Sequence, residues 1–112
     1  MKILVTEKIA ADSLDYLRNE GFAVDERLGL NQTQIEAIIA SYDGLIVRSV
    51  TQVNRSLLNE AVNLKVVGRA GNGIDNIDVD ACTQKGIIAV NTPEANIMAA
   101  GELAVGLAFA VF

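Results

Sequence analysis

The feature that most restricts the fold of this 112-residue chain is the alternation of short aliphatic runs with segments of helical periodicity. Continuous runs of Ile, Val, Leu and Ala are typical of strands that are buried on both faces of a parallel sheet. We expect five strands, at residues 2–5, 22–25, 44–47, 64–67 and 87–90. Strands that alternate with helices in this way predict an α/β domain with helices on both faces of the sheet.

Helix signals lie between the expected strands. We predict helices at residues 10–19, from about residue 33, at 54–61 and at 78–85, with a further helix from about residue 96. Thr33 and Glu36 have the spacing of a capping box, and Gly86 is placed to end the helix before it. Because crossovers between parallel strands are right-handed, few topologies remain. Our prediction is the strand order 2-1-3-4-5 of a flavodoxin-like three-layer α/β/α domain.

Charge and composition exclude several classes of function. The net charge is −5, and such an acidic balance argues against binding to nucleic acid or to an anionic membrane surface. The chain has no histidine, so Ser/His/Asp and Cys/His catalytic arrangements are excluded, and we expect no metal site. Cys82 is the only cysteine, which we interpret as a small core residue. The N-terminus is too charged for a signal peptide, so a cytoplasmic location is expected.

Positive and glycine-rich segments are expected at one edge of the sheet. Ligands of open parallel sheets bind outside the carboxyl ends of the strands. Arg48 ends the third expected strand and Arg69 follows the fourth, so both guanidiniums should reach that edge, where Ser49 adds a hydroxyl. The loop 71–73, Gly-Asn-Gly, can offer backbone amides as an anion-binding nest. The sequence therefore predicts a site for a small carboxylate or phosphate.

Each of these features also has a plain structural interpretation. An arginine after a strand can be an ion-pair partner, and a Gly-x-Gly turn can be only a turn. Asp75, Asn76 and Asp78 are interpreted as turn formers and helix caps. The dinucleotide-binding fingerprint G-x-G-x-x-G and the P-loop pattern do not occur in the sequence. The residues alone leave both interpretations open.

Three segments resemble a known enzyme family. They are DGLIVRS at residues 43–49, LKVVGRAGNGIDNID at 64–78 and KGIIAVNTP at 85–93. In order and spacing they are similar to the start of the D-isomer-specific 2-hydroxyacid dehydrogenases, with IVRS favouring the phosphoglycerate dehydrogenase branch. This resemblance implies a two-domain enzyme that oxidises 3-phospho-D-glycerate with NAD to 3-phosphooxypyruvate, in serine biosynthesis.

The resemblance also implies roles for individual residues. Arg48 and Ser49 match residues that hold the acidic group of the substrate, and Arg69 is a further substrate-binding candidate. The amides of Gly71, Asn72 and Gly73 match a loop that faces the substrate carboxylate, and Asn72 also approaches NAD. Asn96 matches a hinge residue near the substrate. The small phosphorylated hydroxyacid is the expected partner, and a homodimer or larger assembly is expected for the whole enzyme.

The last part of the sequence differs in character from the rest. Residues 101–112 are apolar almost all round, yet this run is too short for a membrane span. We expect residues 1–95 to be an incomplete substrate-binding domain and residues 96–112 to begin a helix that crosses to a missing NAD-binding domain. A terminal core helix packed on its own sheet is the alternative.

Three hypotheses for function follow. The leading one is the substrate-binding part of the dehydrogenase, inactive by itself because the family's catalytic His, Glu and Arg are not in this chain. The alternatives are a free-standing domain that binds small anions, and a dimerisation domain whose last helix meets a partner.

Overall fold

The computed structural model describes residues 1–70, 73 and 75–92, which form a five-stranded parallel sheet with helices on both faces. The strands are β1 (Lys2–Val5), β2 (Ala23–Glu26), β3 (Gly44–Val47), β4 (Val66–Ala70) and β5 (Ile88–Thr92). Their spatial order is β2-β1-β3-β4-β5, with every neighbouring pair parallel. The predicted α/β class and the order 2-1-3-4-5 are therefore confirmed.

Within the described residues, four α-helices and one 3₁₀ turn connect the strands. They are α1 (Ala11–Asn19), α2 (Gln32–Ile38), the 3₁₀ turn Ile39–Ser41, α3 (Arg55–Glu60) and α4 (Val79–Gln84). Because side chains alternate along a strand, Leu4 of β1 joins the core under α2, α3 and α4, whereas Ile3 and Val5 join the core under α1. The sheet thus separates two apolar layers, as aliphatic strands predict. Cys82 lies in the larger layer at 1% exposure, which confirms its interpretation as a core residue.

Several element boundaries differ from those predicted. The capping box of α2 forms on Asn31, which accepts from the Gln34 amide at 2.8 Å while the Gln34 side chain accepts from the Asn31 amide at 2.9 Å. The prediction of Thr33 was wrong because an equally good Asn–Gln pair with the same spacing lies two residues earlier. Strand β4 begins and ends later than the predicted 64–67, so Arg69 lies inside the strand and not after it.

The predicted helix from about residue 96, and with it the boundary near residue 95, lies outside the described residues. Within the described ranges, no helix is long and apolar enough to cross a membrane. The same residues contain no group of three or more His, Cys, Asp or Glu side chains that could hold a metal ion.

At the edge where the strands begin, Tyr42 gives a testable signature of the packing. Burial raises the pKa of the Tyr42 phenol to about 12, and its 2.7 Å hydrogen bond to the Asp25 carboxylate adds to the effect. The fold favours the protonated phenol, so this contribution to stability is complete below the ordinary value of 10.0 and is lost as the pH rises towards 12. In an alkaline absorbance titration, Tyr42→Phe should remove a phenolate transition near pH 12; a loss at the ordinary value would contradict the packing.

Candidate anion-binding site

The two segments that the sequence singled out meet at one edge of the sheet. Strands β3 and β4 are parallel neighbours, and Val47 lies opposite Arg69. Arg48, the next residue after β3, therefore lies at the same carboxyl edge as the end of β4. Gly73, three residues past β4, follows from that edge. Among the described residues, Arg48, Arg69 and Gly73 thus converge as predicted.

The turn formed by residues 48–51, which we call the 48–51 turn, carries Arg48 and Ser49. Both residues are exposed. One guanidinium nitrogen of Arg48 donates to the Lys8 carbonyl at 3.2 Å. Thr51, at the other end of the turn, is buried and shares a 2.8 Å hydroxyl–hydroxyl hydrogen bond with Thr6. The turn therefore has a buried anchor on the loop after β1 and an exposed side that presents a cation and a hydroxyl.

Glu7 binds the backbone of this turn. Its carboxylate accepts from the amide of Arg48 at 2.5 Å, from that of Val50 at 2.9 Å and from that of Thr51 at 3.2 Å. An ionised carboxylate forms stronger hydrogen bonds with amides than a neutral acceptor does. One side chain from the β1–α1 loop thus satisfies three donors of the β3–α3 loop.

Asn76 holds the same turn from the other side. Its amide nitrogen donates to the carbonyls of Arg48 at 2.6 Å and Thr51 at 2.8 Å, and its oxygen accepts from Arg69 at 2.6 Å. The side chain is buried, and a parallel bridge between Val53 and Ile77 fixes the adjoining backbone. Asn76 therefore connects the 48–51 turn to β4 and to the loop that follows it.

The two arginines are in different environments. Arg48 is exposed, whereas Arg69 is 9% exposed and donates to both Asp75 and Asn76. Hydrogen bonding to Arg69 lowers the pKa of the Asp75 carboxyl below its ordinary value, with a further contribution from a backbone hydrogen bond. The Nε atom of Arg69 is buried and has no hydrogen-bond partner within the described part of the chain. Of these two arginines, Arg48 is the exposed one, whereas Arg69 is buried and bonded to its neighbours in the β4–α4 loop.

Gly73 is the one member of the predicted 71–73 loop that the structure describes. It is exposed and has a φ of +86°, a conformation that glycine adopts without strain. An added Cβ would be 3.5 Å from the Asp75 carboxylate and 3.9 Å from the Arg69 guanidinium, which are ordinary contacts. The backbone angle is therefore the reason for glycine here. Gly71, Asn72 and Asn96 lie outside the described residues.

A hollow opens beside the 48–51 turn, where β1, β2 and β3 end. Its volume is about 340 Å³, and it is lined by Thr6, Glu7, Lys8, Leu28, Gly29, Leu30, Val50 and Thr51. Leu28 and Val50 are 45% and 77% exposed, which gives the hollow an apolar rim. The carboxyl edge therefore has a polar part at Arg48 and Ser49 and a mixed part next to it.

Sequence reasoning missed the structural importance of two residues. Glu7 lies in the loop after β1, and no motif in the sequence distinguishes its carboxylate as an acceptor for backbone amides. Asn76 is predicted as a turn former, and its two long-range hydrogen bonds, to the carbonyls of Arg48 and Thr51, have no local signal. Asp78 is a helix cap as predicted, because its side chain accepts from the Ala81 amide at 2.9 Å.

Comparison with known proteins identifies the family. The model of the D-isomer specific 2-hydroxyacid dehydrogenase catalytic domain matches residues 3–109. The chain belongs to this family. It is 44% identical over 110 residues to a D-3-phosphoglycerate dehydrogenase from Methanocaldococcus jannaschii, and 40% identical over 110 residues to one from Archaeoglobus fulgidus. Each alignment covers 98% of this chain and 21% of the relative, so the chain spans about a fifth of these enzymes.

Solved structures agree with this assignment. An NAD+-bound 3-phosphoglycerate dehydrogenase from Entamoeba histolytica superposes with a TM-score of 0.74 at 31% identity, over 95% of this chain and 37% of that one. The PH0520 protein from Pyrococcus horikoshii superposes with a TM-score of 0.77 at 30% identity, over 81% of this chain and 27% of that one. Sequence comparison and structural superposition thus give the same fold and family.

Proposed function

We propose that this chain is the substrate-binding part of an NAD-dependent oxidoreductase that oxidises 3-phospho-D-glycerate to 3-phosphooxypyruvate in L-serine biosynthesis. The observation that carries the proposal is the meeting of the 48–51 turn with the β4–α4 loop at the carboxyl edge, in a chain of this family. The names of the relatives support the choice of substrate. A cytoplasmic location and a homodimer or larger assembly belong to the same proposal.

The chemistry of the edge suits a small acid. Arg48 offers an exposed, planar guanidinium that can form paired hydrogen bonds with a carboxylate or phosphate, and Ser49 offers an adjacent hydroxyl. In a chain with a net charge of −5, such a local cation determines where an anion binds. We assign substrate contacts to Arg48, Ser49 and the amides of Gly71, Asn72 and Gly73, with Asn96 at the hinge. Arg69 contributes to the site indirectly, because its hydrogen bond holds the Asn76 side chain that contacts the 48–51 turn.

The described residues do not fit the pyrophosphate of NAD. Helix α4 follows the glycine loop, but the Asp78 carboxylate already accepts from the amide of Ala81 in its first turn, and Asp80 adds a negative charge to that turn. Negative charge at a helix N-terminus opposes a bound phosphate. We therefore propose that NAD is held mainly by residues other than these, with Asn72 as the contact from this chain.

The chain alone should show no turnover. Oxidation of a 2-hydroxyacid needs a base for the hydroxyl proton as hydride leaves the carbon, and the chain has no histidine for that task. With NAD and 3-phosphoglycerate, the pure 112-residue protein should form no NADH above the blank in an absorbance assay. Steady NADH formation by this chain would contradict the proposal that it binds the substrate but lacks the catalytic base.

A chimera tests the function itself. The corresponding fifth of the Methanocaldococcus jannaschii relative is replaced by this chain, which matches it at 44% identity. We expect the chimera to form NADH from 3-phosphoglycerate with NAD, and to prefer it over D-lactate, which lacks the phosphate. The same chimera with Arg48→Ala is the matched control. A folded chimera that oxidises D-lactate better, or is unaffected by Arg48→Ala, would contradict the proposed substrate.

A further inference from the structure

The 48–51 turn obtains its shape from side chains outside it. Three of its amides are bound by one carboxylate, that of Glu7, and two of its carbonyls are bound by one carboxamide, that of Asn76. The turn directly follows β3 and is separated from α3 by residues 52–54, so it belongs to neither element. Its conformation, and with it the direction of Arg48 and Ser49, therefore depends on these two side chains.

The loop after β1 contacts both the backbone and the side chain of Arg48. The Glu7 carboxylate binds the Arg48 amide, and the carbonyl of the next residue, Lys8, accepts from the Arg48 guanidinium at 3.2 Å. The buried Thr6–Thr51 hydrogen bond places the same loop against the far end of the turn. Three consecutive residues after β1 thus contact the turn that carries the proposed substrate ligands.

We propose that Glu7 is a positioning residue of the anion site: it sets the 48–51 turn so that Arg48 and Ser49 can bind the acidic group of the substrate. The inference rests on the proposed function of this edge. Glu7 acts through the turn and does not touch the ligand, and Asn76 performs the complementary task on the carbonyl side.

Electrostatics alone predicts the opposite effect of removing the Glu7 charge. A negative carboxylate next to Arg48 repels an anion, so Glu7→Gln would tighten anion binding if only the field mattered. A positioning role predicts that Glu7→Gln weakens anion binding. Glutamine has one acceptor oxygen where glutamate has two, and its NH₂ group would face the donor amides of the 48–51 turn. The sign of the change therefore separates the two explanations.

The experiment measures the dissociation constant of 3-phosphoglycerate for the 112-residue chain, by calorimetry, together with its ¹H–¹⁵N spectrum. Glu7→Gln should weaken binding about tenfold, or about 1.4 kcal/mol, and should move the Val50 and Thr51 amide protons upfield because a charged acceptor is lost. The control is Glu20→Gln, the same change in an exposed residue at the end of α1, near the opposite edge of the sheet. It should leave the dissociation constant and the turn resonances unchanged.

Equal or tighter binding by Glu7→Gln would overturn the inference. If that variant folds too poorly for a binding measurement, Glu7→Asp takes its place, because it keeps the charge but is one methylene shorter; it too should bind several-fold more weakly. Unchanged binding by Glu7→Asp would equally overturn the inference. Failure of the parent chain to bind 3-phosphoglycerate would instead contradict the proposed function, so the two failures are distinguishable.

Discussion

Arg48→Ala should weaken the binding of 3-phosphoglycerate to this chain by at least about tenfold, because a charge-assisted contact with an anion contributes roughly 1.5–3 kcal/mol. Arg48 is the exposed cation at the end of β3, in an acidic chain with a net charge of −5. Calorimetry at low ionic strength measures the effect. Added salt should weaken binding to the parent chain and have little effect on the variant.

The matched control is Arg18→Ala. Arg18 is also exposed, but it lies in the last turn of α1, near the opposite edge of the sheet, where it donates to the Val24 carbonyl at 3.3 Å. The two variants make the same change in net charge, so a general charge effect would weaken binding in both. An Arg48→Ala variant that binds as well as Arg18→Ala would remove Arg48 from the site.

Arg69→Ala should lower the free energy of unfolding by about 2 kcal/mol, because a buried acceptor left without its donor costs roughly 1–3 kcal/mol. The substitution removes the donor to the buried Asn76 oxygen and the partner of Asp75. Urea unfolding followed by circular dichroism gives the value. Substrate binding should also weaken, since Asn76 positions the 48–51 turn.

Asp75→Ala separates the two bonds that Arg69 makes. Because the Asp75 carboxylate is 86% exposed, its removal should leave the urea midpoint of unfolding nearly unchanged. The lowered pKa of Asp75 means that its contribution is present above the ordinary value and is lost as the pH falls through the lowered one. If Arg69→Ala and Asp75→Ala cost the same, the bond between Arg69 and Asn76 contributes nothing.

The sequence predicted the fold well because both faces of the sheet are buried. Strand β1 and strand β3 have the predicted bounds, and the strand order follows from short right-handed connections between aliphatic runs. The errors lie at the ends of helices and strands, because the same local sequence pattern can occur at more than one nearby position. Asn31 competes with Thr33 as the cap of α2, and the small residues Gly68 and Ala70 concealed the full length of β4.

The site was predicted in part. Topology brings Arg48 and the β4–α4 loop to one edge, and that follows from strand order alone. The environment of Arg69 could not be deduced, because it depends on Asn76, a residue seven positions later whose side chain also reaches back to Arg48 and Thr51. The role of Glu7 could not be deduced either. The amides that donate to its carboxylate are more than forty residues away in the sequence, and no sequence spacing encodes these contacts.

The most direct test of the account is a ¹H–¹⁵N titration of the 112-residue chain with 3-phosphoglycerate. The largest shifts should occur at the carboxyl edge of β3 and β4, at Arg48, Ser49 and Gly73, with little change at the opposite edge around Asp43 and Lys65. Shifts concentrated around Asp43 and Lys65, or no shifts at ligand concentrations well above those in cells, would contradict an anion site at this edge.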